Sequence, residues 1–78
     1  VTQDLRSRVE RTEALMRRFI ALKISAARWA QHTRDIDQEV SYRTIRRVIE
    51  GDIPTLTTID RLEKALDAEE ENRLATAA

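Results

Sequence analysis

Seventy-eight residues make one small domain with a single core, and 41% of them are hydrophobic, mainly Leu, Ile, Val and Ala. One Gly, one Pro and no Cys exclude a hairpin-rich β fold, a disulfide framework and a Cys-ligated zinc, while the plentiful Ala, Leu, Arg and Glu favour helices. The formal net charge is zero, and no apolar run approaches the ~20 residues of a membrane span, so a soluble, cytoplasmic, all-α protein without metal or cofactor is expected. The chain opens on Val1 rather than Met, as expected of a processed protein or a segment of a longer one.

The first predicted helix runs from about Asp4 to Lys23. Leu15, Phe19 and Leu22 fall on one helical face, and Met16 and Ile20 widen the stripe. Before Thr12 only Leu5 and Val9 interrupt the Arg and Glu, and this stretch reads as a helical extension, with a partner-docking arm or a frayed end as the other options. Ser25 can cap a second helix, because its hydroxyl can accept from an unpaired first-turn amide. That helix is expected from Ala26 to about Thr33, with Trp29 and Ala30 inward. Arg34 to Glu39 is polar except for Ile36 and reads as loop.

Ser41 is the next capping candidate, followed by Ile45, Val48 and Ile49 at helical spacing. Tyr42, Arg43, Arg46 and Arg47 are left mostly on the outer side. Gly51 can enter the left-handed conformation that ends a helix, and Pro54 forbids its continuation. Thr55 or Thr57 then caps a fourth helix whose buried stripe is Ile59, Leu62, Ala65 and Leu66. Asp67 to Ala78 is acidic and then Ala-rich, compatible with a prolonged helix or with disorder.

The zero net charge conceals an uneven distribution. Val1 to Arg47 carries eleven Arg and Lys against six acids, net +5, and Val48 to Ala78 carries three against eight, net −5. Such asymmetry can hold one face positive and the other away from phosphate. Arg43, Arg46 and Arg47 lie within five residues of one helix. A short helix with a cationic outer face suits the major groove, where Arg can bond both acceptors of a guanine edge. On spacing alone, a merely solvated arginine face explains the same residues about equally well.

The surrounding residues extend the pattern. VSYRTIRRVIEG, Val40 to Gly51, resembles the recognition-helix segment of lambda-repressor/Cro-like (XRE-type) regulators: a β-branched residue, Ser, two variable residues, Thr-Ile, a basic residue, an aliphatic and a closing Gly. PTLTTIDRLEKAL, Pro54 to Leu66, is similar to the next helix of that family. Ile24-Ser25 and Trp29-Ala30 match its preceding helix, and Leu15, Phe19 and Leu22 its first. The resemblance implies a lambda-repressor-like domain of four or five helices over 12–67, with the helical extension over 1–11 and a tail over 68–78. It also implies the roles of individual residues. Ser41 would begin the recognition helix, Tyr42 and Arg43 would face base edges, Arg46 and Arg47 would meet bases or phosphates, and Thr44 would bond a phosphate. Ser25 and Arg28 would contact the DNA backbone at the start of the second helix, where the usual Gln of the family is absent. The family's turn of about four residues, often with Gly, is replaced here by a longer segment without Gly, carrying Asp35, Asp37 and Glu39.

Other residues read more plainly. Trp29 and Ile59 are expected in the core. His32 is expected to pack on the second helix or lie at the surface, Leu56 is open to self-association, and Glu69 to Glu71 are expected to be solvated. No nucleophile–base pair, metal set or phosphate loop points to an enzyme. The expected function is sequence-specific binding of double-stranded DNA by a prokaryotic or phage transcriptional regulator, a repressor, bound as a homodimer and not at a membrane. The alternative is a helical protein-interaction module or an antitoxin-type protein that docks a partner through its N-terminal helix.

Overall fold

A computed structural model describes residues 2–77; Val1 and Ala78, the outermost residues of the expected extension and tail, lie outside it. Among the described residues the chain is all-helical: α1 (Thr2–Leu22), α2 (Ala26–Asp35), α3 (Tyr42–Ile49) and α4 (Leu56–Ala77). The expected apolar stripes supply the core. Leu15 of α1, Trp29 of α2, Ile45 of α3 and Ile59, Leu62 and Leu66 of α4 are fully buried. Phe19 stacks on Trp29 with ring centroids 4.6 Å apart. The Trp29 indole Nε1 donates to the Leu62 carbonyl at 3.2 Å, so the largest core side chain leaves no orphan donor.

The starts of α2, α3 and α4 and the end of α3 have local causes. The Ser25 hydroxyl accepts from the Arg28 amide at 3.1 Å and the Ser41 hydroxyl from the Thr44 amide at 3.2 Å. Of the two candidates before α4, Thr55 is the cap, accepting from the Thr58 amide at 3.4 Å. Gly51, at φ 119°, follows α3; the Asp52 amide donates back to the Arg47 carbonyl and the Gly51 amide to that of Val48, as in a Schellman turn.

The second helix departs from expectation. Arg34 and Asp35, read from sequence as loop, are the last residues of α2. Gln31 Nε2 donates to Asp35 Oδ1 at 2.9 Å, a one-turn bond that carries the helix on. A second Schellman turn then closes it, with the Gln38 amide donating to Thr33 and the Asp37 amide to Arg34. Asp37 takes the left-handed position at φ 59°, and the missing Gly conceals this helix stop in the sequence. What links α2 to α3 is therefore residues 36–41, with Ile36 packed against the core.

α4 packs against both α1 and α2. α1 is continuous from Thr2, so the stretch before Thr12 is helical, and α4 continues through the acidic segment to Ala77. They run in the same direction, because contacts climb both helices together. Arg8 donates to the Ile53 and Pro54 carbonyls, Arg11 pairs with Glu63 at 2.6 Å, and Arg18 pairs with Asp67 at 2.6 Å and Glu70 at 3.0 Å. Arg73 bonds the Leu22 carbonyl at the far end. No helix among the described residues is long and apolar enough to cross a membrane.

Candidate nucleic-acid interface

α3 sorts its eight residues by depth. Ile45 and Val48 are buried and Ile49 partly so, which fixes the inward side of the helix. Arg43 and Arg47 then point most directly outward, with Arg46 and Tyr42 along one flank and half-buried Thr44 on the other. Tyr42 is 51% exposed, unusual for an aromatic residue in a chain holding only three. Among the described residues Arg43 and Arg47 form no ion pair, and Arg46 is only 3.9 Å from Glu50, one turn away in the same helix. Ser41 Oγ and Thr44 Oγ1 lie 2.8 Å apart, so both hydroxyls already serve the helix cap.

The orientation of α3 depends on Thr33. This buried side chain donates to the Ala30 carbonyl at 2.6 Å and accepts from the Val40 amide at 3.1 Å. A single hydroxyl thus ties the last turn of α2 to the residue before the α3 cap. Val40 is itself buried, so without Thr33 its amide would face an apolar interior. Asp35 at the end of α2 and the loop acids Asp37 and Glu39 are exposed; Asp35 is held by Gln31, and the backbone carbonyl of Glu39 accepts from Arg61 Nη1 at 3.3 Å.

At the start of α2, Ser25 is occupied as a cap and Arg28 is exposed, with Nη2 3.7 Å from Glu69 Oε2. Glu69, expected to be solvated, is only 4% exposed, on the stripe that continues from Leu62 and Leu66. Its carboxylate lies 3.0 Å from His32 Nε2 and 3.6 Å from Arg73 Nε. His32 is buried too, which settles its expected choice between packing and the surface. Helical spacing from Leu62 could have placed Glu69 inward, but its position at the head of a run of three acids argued the opposite.

The charge asymmetry is also reshaped by packing. Arg8 turns to the carbonyls of the loop before α4, while Arg11 and Arg18 pair with acids of α4, so the acidic half neutralises two of the cations of α1. The hydrogen bond to Glu63 holds the Arg11 guanidinium above its ordinary pKa, outweighing the desolvation that would lower it. For Arg18, burial works the other way and is outweighed by hydrogen bonds to Asp67 and Glu70, leaving a net rise. These arginines are structural cations, whereas α3 keeps three exposed arginines on one short helix. Among the described residues no cluster of His, Asp and Glu could hold a metal ion. Set against family models, curated proteins and solved structures, the chain matches none of them.

Proposed function

We propose that the chain binds double-stranded DNA sequence-specifically, with α2 and α3 as a helix-turn-helix of the lambda-repressor/Cro-like type and α3 as the recognition helix. The observation that carries this reading is the division of α3, whose apolar residues are sunk in the core while Arg43 and Arg47 stand outward without ion-pair partners among the described residues. An α-helix fits the major groove, about 12 Å wide. Tyr42 and Arg43, on the first turn, would read base edges, and Arg46 and Arg47 would meet bases or phosphates. Ser25 and Arg28 at the start of α2 would contribute backbone contacts, as would Thr44. The chain then acts as a transcriptional regulator, a repressor without chemistry of its own, on paired half-sites as a homodimer.

Fluorescence anisotropy of labelled duplex over a salt series tests this reading, comparing random DNA with DNA upstream of the gene. Affinity should fall steeply with salt and be much tighter on the upstream DNA. The variant carrying Arg43→Ala, Arg46→Ala and Arg47→Ala should keep its helical spectrum and lose binding. Unchanged affinity in that variant would refute the assignment. No binding by the parent chain at low salt would favour the alternative, a helical protein-interaction module or antitoxin-type protein, which the exposed acids of the α2–α3 loop suit better.

A further inference from the structure

α1 has a second apolar stripe, of which only Met16 packs against the core. Leu5, Val9, Met16 and Ile20 lie within about 60° of one another around the helix. Leu5 is 52% and Ile20 66% exposed, and Val9 and Met16 are only partly covered. Beside Met16 the stripe opens into a groove of about 500 Å³ between α1 and the end of α3, floored by Val48, Ile49 and Ile53. Along one flank stand Glu13 and Arg17, both exposed. They are four residues apart on one helix, yet among the described residues they form no ion pair with each other or with any neighbour.

We infer that this face of α1 is a self-association surface, occupied by α1 of a second copy packed antiparallel across a two-fold axis. The charges single out this occupant. In an isologous contact, residue i meets j and j meets i. A two-fold axis lying between antiparallel helices keeps each flank opposite the same flank of the other helix. With the axis near Ala14 and Leu15, Glu13 of each copy lies opposite Arg17 of the other, giving two ion pairs from one pair of residues. The same register sets Val9 of one copy against Ile20 of the other, twice, with Met16 beside the axis. Val9, Met16 and Ile20 share the apolar face while Glu13 and Arg17 share its flank, so nearly the same antiparallel alignment serves the apolar contacts and the charge pairs. A parallel pairing would put the two Glu13 and Arg17 flanks on opposite sides of the seam and form neither pair. This surface is independent of the DNA-binding reading.

The test is sedimentation velocity over a concentration series without DNA, on the parent chain, Glu13→Arg, Arg17→Glu and an equimolar mixture of the two variants. The parent chain should approach twice the 9.1 kDa of one chain as concentration rises. Each single variant brings like charges together at both pairs and should raise the dimer dissociation constant about tenfold or more. The mixture should recover the parent's association, because a helix carrying Glu13→Arg presents two cations to the two carboxylates of a helix carrying Arg17→Glu. Ile20→Lys should abolish association without altering the helical spectrum, since the side chain is outside the core. A parent chain that stays monomeric at every concentration would overturn the proposal and leave the stripe to a different protein. Single variants that associate like the parent, or a mixture that remains as dissociated as its components, would overturn it equally. Loss of DNA binding by α3 variants with self-association intact would touch the other reading alone.

Discussion

Replacing Thr33 with Val isolates the hydroxyl that joins α2 to the α3 cap. Valine keeps the branched shape, so no cavity opens, but the donor to Ala30 and the acceptor for the Val40 amide are both removed. The Ala30 carbonyl retains its helical role, whereas the Val40 N–H becomes a buried donor without an acceptor. Leaving such a group unsatisfied costs about 1–3 kcal/mol, and a value near 2 is expected because the surroundings are apolar and close-packed. For a domain of this size that corresponds to a Tm lower by about 8–16 °C. Urea unfolding followed by Trp29 fluorescence and far-ultraviolet circular dichroism would measure it, the midpoint falling with the slope unchanged. Thr33→Ser preserves the hydroxyl and removes a methyl group, so it should cost only about 1 kcal/mol. A Thr33→Val variant within about 0.5 kcal/mol of the parent, or a serine variant destabilised as much as the valine variant, would refute this role of the hydroxyl.

Substitutions in α3 separate stability from binding, and two elsewhere test the packing of the fold. Arg43→Ala and Arg47→Ala should each change unfolding free energy by less than about 0.5 kcal/mol, because neither side chain is ion-paired among the described residues. In DNA titrations, each arginine that contacts a phosphate should lower the salt slope by about one when removed, and an unaltered slope for both would deny them that role. Glu69→Ala should destabilise the fold by about 2 kcal/mol, since it strips buried His32 of its partner at 3.0 Å and releases Arg73; chemical denaturation checks this, and a neutral result would mean water replaces the carboxylate. Thr12→Val should raise stability by about 1 kcal/mol in a thermal melt, because the Thr12 hydroxyl is buried without a hydrogen-bond partner among the described residues; a lower Tm would show that the hydroxyl is satisfied in solution.

Local chemistry made much of the fold legible. Ser25 and Ser41 announced helix starts because a hydroxyl before an apolar periodic run can satisfy a first-turn amide, and both do so. Leu15, Trp29, Ile45, Ile59, Leu62 and Leu66 could be assigned to the core from helical spacing alone, because the period of 3.6 residues sets one face inward. The same period left Arg43, Arg46 and Arg47 on the outer side of α3, where the structure places them exposed. The extent of α2 was concealed, since its stop is an Asp in the left-handed conformation in place of the more readable Gly.

Sequence by itself determined the helical class, two of the caps and the sidedness of α3, all consequences of interactions reaching no farther than one or two turns. Tertiary structure decided which charges are spent inside the molecule. Arg8, Arg11 and Arg18 resemble any other basic residues until α4 runs parallel to α1 and sets Glu63, Asp67, Glu70 and the Pro54 carbonyl against them. Glu69 looked solvated until α2 packed on α4 and brought His32 to it, across 37 positions of chain. Such pairings depend on distances between residues far apart in sequence, and those distances exist only once the core has closed.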